Sequence, residues 1–222
     1  GETFCDISSN VTVRDQIDLS QIISTSTPVT DMQYIGDDTF IFTTDSASTT
    51  EPDVFKVRIT TNGVVILETK DVGPGLQDSL LMFPYLYVAN TSVNSHVKVL
   101  RVDPTLSEIQ NIRIQTLTTS SAMPRRLSIF GKHLMLGTEK SAAGGELFPL
   151  AVVAGGTLTL PTQELELGGQ AHASRVIGDS LYTANSADPE MRVFNSEFTE
   201  INSYDAPLTL GNGKSVLGIY PY

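Results

Sequence analysis

Apolar and polar residues alternate along this chain over short runs, and the runs end in clusters of Gly, Pro, Asn, Asp or Ser. The clearest runs are 39–43, 54–59, 64–67, 86–89, 97–102, 109–114, 158–160 and 191–194, many of them rich in Val, Ile, Phe or Tyr. A period of two sends successive side chains to opposite faces of a strand, and branched or aromatic residues suit a pleated, half-buried surface. A helical period is almost absent. The pattern predicts an all-β chain with turns at short intervals.

Four of the runs are copies of one another. Asp38-Thr39-Phe40-Ile41-Phe42-Thr43-Thr44 aligns with Pro84-Tyr85-Leu86-Tyr87-Val88-Ala89-Asn90. Both align with Lys132-His133-Leu134-Met135-Leu136-Gly137-Thr138 and with Asp179-Ser180-Leu181-Tyr182-Thr183-Ala184-Asn185. The anchors Phe40, Leu86, Leu134 and Leu181 are 46, 48 and 47 residues apart. A short apolar strand precedes each anchor, at 32–35, 80–83, 127–130 and 174–177. A third strand follows at 53–59, 96–102, 146–152 and 190–194, and a turn leads to a fourth. Four antiparallel strands per repeat of this length predict a β-propeller.

The ends of the chain extend the pattern. A leading strand is legible at 215–220, and later strands of a unit at 11–13 and 17–23. Joined, they form one blade and remove two open sheet edges. The expectation is a single β-propeller domain over 1–222 with five blades of four strands. Its units are 28–70, 71–116, 117–162 and 163–206, with 207–222 plus 1–27 as the closing blade, in which N- and C-terminal strands are shared.

Two units carry a familiar motif. Leu86-Tyr87-Val88-Ala89-Asn90-Thr91 followed by His96-Val97-Lys98-Val99 resembles the YVTN repeats of surface-layer and lactonase-like propellers. Leu181-Tyr182-Thr183-Ala184-Asn185-Ser186 followed by Met191-Arg192-Val193-Phe194 resembles the same pattern. The other two units lack the Tyr and the Asn. The resemblance implies the propeller fold and carries no catalytic residue across.

Composition removes several function classes. An apolar fraction of 40% with 18% charged residues is that of a chain able to bury a core. A formal net charge of −11 repels phosphate backbones, so nucleic acid is excluded as a partner. The single cysteine, Cys5, allows no internal disulfide. The longest apolar stretches, such as 147–154, fall well short of a membrane span. The chain begins with Gly1 and shows no basic segment followed by an apolar run, which fits a processed product or an excised domain. Compartment stays open, with an extracellular or cell-surface setting favoured slightly.

In a propeller, the loops joining one blade to the next share a face with the loops joining second and third strands. The first set is 70–79, 116–126, 161–173 and 205–214; the second is 45–53, 90–95, 139–145 and 186–189. The expected binding face therefore carries His96, Arg125, Arg126, His172 and Lys214, with Gly75, Gly169 and Gly213 leaving room near the axis. Three joining loops carry glycine pairs, Gly73/Gly75, Gly168/Gly169 and Gly211/Gly213, which equally suit tight turns. Arg125 and Arg126 could grip an anion bidentately or pair with local carboxylates.

Other chemistry is weak. Gly211-Asn212-Gly213-Lys214-Ser215 lacks the leading glycine of a phosphate loop, since position 208 is Leu208. Asp37, Asp38, Asp45 and Asp53 could gather around calcium but lack EF-hand spacing. The histidines lack the neighbours of a metal site. No nucleophile elbow is present. Asn10 and Asn90 head glycosylation sequons. The leading expectation is a non-enzymatic binding module with no catalytic residue, metal or cofactor, one setting being a larger extracellular, cell-surface or viral protein. Its partner at the channel mouth is a protein, a small molecule or a glycan. A lactonase-like or other hydrolase at the channel mouth is the alternative, and a carbohydrate-binding propeller the second. Sparse loop aromatics and the absence of Trp weigh against sugar platforms.

Overall fold

The computed structural model describes residues 27–45, 51–91, 96–114, 123–139, 145–161, 163–167, 171–185 and 191–204, with 171–173 described in backbone only. They form four antiparallel sheets. The first holds β1 (Val29–Gly36), β2 (Thr39–Thr44), β3 (Val54–Thr60) and β4 (Gly63–Lys70). The second holds β5 (Leu76–Met82), β6 (Tyr85–Asn90), β7 (His96–Arg101) and β8 (Ser107–Arg113). The third holds β9 (Met123–Phe130), β10 (His133–Glu139) and β11 (Glu146–Val152), with β12 (Leu158–Thr159) and β13 (Leu165–Glu166) both on β11. The fourth holds β14 (Ala171–Ile177), β15 (Ser180–Asn185), β16 (Met191–Phe194) and β17 (Glu200–Tyr204).

Each sheet is a meander in which consecutive strands pair, as short hairpin connections require, except that β13 pairs with β11 rather than with β12. The anchors Phe40, Leu86, Leu134 and Leu181 all fall in the second strand of their sheet. The inner strands β1, β5, β9 and β14 lie successively against one another, the arrangement of propeller blades.

The sheets stack face to face. Ile41, Val72, Leu86, Val88 and Leu100 fill the space between the first and second sheets. Tyr87, Ala89, Val97, Val99, Leu134 and Phe148 fill the space between the second and third. Phe130, Met135, Leu147, Leu181 and Phe194 do so between the third and fourth. Neighbours along β6 thus face opposite ways, and both directions are dry. That is why the second strands read as unbroken apolar runs rather than alternating ones.

The third sheet departs from the four-strand expectation, because its fourth strand is split. Val152 N–H donates to Lys132 O on the β10 side, so alternation turns the nitrogen of Pro149 outward. Proline has no N–H for a strand there. β12 and β13 accordingly pair with the two ends of β11 and leave its middle open.

Polar clamps join neighbouring sheets. Lys56 Nζ donates to Val102 O at 2.8 Å and Pro104 O at 2.9 Å, beside Glu68 at 3.6 Å. Gln110 donates to Leu158 O at 2.8 Å and accepts from Leu158 N at 2.7 Å. Lys56 is buried, so Lys56→Ala strands two carbonyls and a carboxylate. The expected cost is about 2–4 kcal/mol, read as a lower urea midpoint at unchanged m-value.

Candidate functional site

Every inner strand carries the same irregularity. Its register against the second strand slips by one residue near its start: between Val29 and Asp31, Leu76 and Asp78, Pro124 and Arg126, and Ala171 and Ala173. The inserted residues are Thr30, Gln77, Arg125 and His172, spaced 47, 48 and 47 apart. A β-bulge re-aims side chains and bends the strand, and bulges gather next to active sites. Here they lie on the face shared by the blade-joining loops and the second-to-third strand loops. The residues that follow, Asp31, Asp78 and Arg126, bring two acids and a base to that face.

These residues bridge neighbouring sheets. Ser79 Oγ donates to Asp31 Oδ2 at 3.0 Å and lies 3.3 Å from Thr43 Oγ1, which is 2.9 Å from Thr30 Oγ1. Asp78 accepts from Ser79 N at 3.0 Å through Oδ1 and from Leu127 N at 2.8 Å through Oδ2. Burial is the largest influence on Asp78 and raises its carboxyl from the ordinary 3.8 to about 6. The backbone donors and the Arg126 charge oppose that rise, while Asp31 adds to it. A half-buried carboxyl titrating at about 6 beside a guanidinium can exchange protons with a reacting group.

The predicted binding residues fall as follows. Arg125 donates through Nε to Glu139 Oε2 at 2.5 Å, and its Nη2 contacts the same oxygen. Its Nη1 donates to Gln77 Oε1 at 2.7 Å. Its guanidinium is thus engaged by protein groups, the local-carboxylate pairing open from sequence. Arg126 is exposed on the next residue. His96 opens β7 at the same end of its sheet, and burial pushes its imidazole below the usual range, opposed by a hydrogen bond with Asn111. The bulge brings the backbone of His172 to the position equivalent to Arg125. Gly75 lies in the loop entering β5, with its carbonyl accepting from Thr91 N at 2.8 Å and Thr91 Oγ1 at 3.0 Å. Lys214, Gly169 and Gly213 lie outside the described residues.

Gly73 and Gly75 hold φ of 87° and 83°, so the tight-turn reading accounts for this pair. Asn90 Nδ2 donates to Val72 O at 3.2 Å and to Gly73 O, and Asn90 is wholly buried. The sequon at Asn90 thus serves the fold. Asp37 and Asp38 form the β1–β2 turn, at the opposite end of the strands from Asp45 and Asp53. β2 between them separates these ends by about 20 Å, so the four acids do not form one calcium site. Among the described residues no group of three His, Cys, Asp or Glu side chains is placed to hold a metal ion. Among them also, no helix is long and apolar enough to cross a membrane.

No protein-family model matches the chain, and no curated protein matches it in sequence. Solved structures similar to it include a provisionally assigned 6-phosphogluconolactonase of Bacteroides fragilis, at 18% identity and TM-score 0.60 over 82% of this chain. A periplasmic gluconolactonase of Pseudomonas aeruginosa is similar at 14% identity and TM-score 0.62 over 81%. A dihydro-heme d1 dehydrogenase is similar at 11% identity and TM-score 0.54, with 85% of this chain and 38% of that one covered. The chain spans little more than half of the two lactonases, 56% and 54%. At such identities the likeness shows the fold, that of propeller-like proteins. It also corrects the leading functional expectation. The first similar structures are lactonases, so the hydrolase alternative is better supported than a non-enzymatic binding module.

Proposed function

We propose that this propeller is a hydrolase of the lactonase type, acting on small cyclic esters at the bulged face of its inner strands. Asp78 carries the reading: a half-buried carboxyl held near 6 beside Arg126, at a position repeated in each of the four described sheets. In the reaction, ionised Asp78 takes a proton from water as the water oxygen attacks the lactone carbonyl carbon. The guanidinium of Arg126 offsets the negative charge forming on the carbonyl oxygen. The ring C–O bond then breaks, and Asp78 returns the proton to the departing ring oxygen. The product is an open hydroxy acid, with Asp78 again ionised. The similar lactonases support the substrate class.

The architecture within this proposal is one domain, a five-bladed ring of YVTN type closed by 207–222 with 1–27. Exposed apolar residues at both ends of the described stack support it. The outward face of the first sheet bears Met32, 56% exposed, and Tyr34, 60% exposed. The fourth sheet bears exposed Ile177, Ile201 and Tyr204. Another blade would cover such faces. Burial of Asn90, the Asn of the repeat motif, at a blade junction supports the YVTN kinship. An exported setting belongs to the same proposal.

The test is proton release at constant pH from glucono-δ-lactone and its 6-phosphate. The expected result is saturable hydrolysis by the purified chain, well above the buffer rate. A rate equal to buffer for both lactones overturns the proposal.

A further inference from the structure

Asp78 and its chain neighbour Gln77 reach across the same gap to β9. Gln77 Oε1 takes Arg125 Nη1 at 2.7 Å, and Asp78 Oδ2 takes Leu127 N at 2.8 Å. Glu139, at the end of β10, holds the other side of the Arg125 guanidinium. Arg125 is the bulged residue itself, the one without a pairing partner in the β9–β10 ladder. A bulge loosens the strand that contains it, because the inserted residue leaves the ladder. Two residues later that strand must present an N–H to Asp78 at hydrogen-bonding distance.

We infer that Arg125 is a positioning residue for Asp78: clamped between Gln77 and Glu139, it fixes the β9 bulge so that the Leu127 N–H and the Arg126 side chain stay against the Asp78 carboxyl. The fork geometry of arginine suits this role, since one planar group meets acceptors from two sheets at once. Its partners divide the work. Glu139 ties the bulge to its own sheet, and Gln77 ties it to the sheet that bears Asp78. The charged groups facing Asp78 are Asp31 from β1 and Arg126 from β9. Of these, Arg126 and the Leu127 N–H depend on the path of the bulge, and Asp31 does not. Releasing the clamp therefore removes influences that favour the ionised carboxyl and leaves those that oppose it.

Only the catalytic consequence of this inference rests on the lactonase reading. The clamp is tested without turnover, by following the Asp78 carboxyl carbon through a pH titration in the labelled full chain by NMR. In Arg125→Leu the Asp78 midpoint should rise by about one unit. In Gln77→Leu, which removes a single bond and spares the fold if Arg125→Leu does not, it should rise by a smaller amount. An Asp78 midpoint that is unchanged or lower in folded Arg125→Leu or Gln77→Leu overturns the inference. A raised midpoint in a chain that hydrolyses neither lactone leaves the clamp standing and removes the lactonase reading.

Discussion

Asp78→Asn is expected to lower lactone turnover by a factor on the order of 10²–10⁴, the range of a positioned general base. Wild-type kcat/KM should rise with pH through about 6 and level off above it, because the ionised carboxyl takes the proton. The variant should lose that limb. Turnover within tenfold of wild type, with the limb retained, would remove Asp78 from the reaction. Stability should respond in the opposite sense. The folded chain keeps a proton on Asp78 up to about pH 6, whereas the unfolded chain has released it by about pH 4. The stabilisation is therefore complete below the unfolded value and is lost as pH climbs through the folded one. The loss is on the order of 1–3 kcal/mol. Urea midpoints at acid and neutral pH should converge in Asp78→Asn relative to wild type. The variant also gives up one of two carboxylate acceptors, so its gain at neutral pH is the smaller for it.

Gly156→Val should be the most damaging single change to the fold, by about 3–5 kcal/mol. Gly156 sits at φ 76°, in the turn that carries the third sheet from β11 to β12. A Cβ there would lie 2.3 Å from Cγ of Tyr85, the root of a ring that cannot swing clear at that atom. The carbonyl of Gly156 also accepts from the buried Tyr87 hydroxyl at 2.9 Å, and burial drives that phenol up to about 12. Strain, overlap and a lost cross-sheet bond therefore act together. Thermal unfolding of Gly156→Val beside Gly155→Val separates the causes. Gly155 has φ 82° but open space around its Cβ, so it should show the strain alone. Equal losses at both positions would mean that the Tyr85 contact yields freely.

The repeat was legible in the sequence because the second strands are largely buried, those of the two middle sheets on both faces. Runs such as Leu86 to Ala89 must then be apolar at every position, and a 47-residue rhythm of such runs stands out. The third strands were legible for a related reason, since Val97, Val99 and Leu100 meet no water. The split fourth strand of the third sheet was not. Pro149 looks like any other residue of an apolar run until the ladder shows which way its nitrogen points.

The candidate site lay where sequence patterning fails. The inner strands were expected to begin at 32, 80, 127 and 174, but they begin at Val29, Leu76, Met123 and Ala171. Each bulge falls in the stretch left out. An inserted residue shifts the alternation by one, so the period of two breaks at Thr30, Gln77, Arg125 and His172. Arg125, Arg126 and His172 attracted notice by their charge and loop position. Asp31, Gln77 and Asp78 did not, although extending the anchor spacing to the strand starts would have aligned them.

Two kinds of information therefore came from different levels. Sequence determined the all-β class, the repeat length and the second strands, because these follow from local periodicity and from how much apolar surface each segment must bury. Tertiary structure alone decided what the acids and arginines do. The Asp78 carboxyl is set by its desolvation between two sheets and by a backbone N–H from 49 residues away. Arg125 is engaged by Gln77 and Glu139 only because two sheets bring them to one bulge. Burial and cross-sheet hydrogen bonds are properties of the packed sheets, and the order of residues along one strand does not contain them.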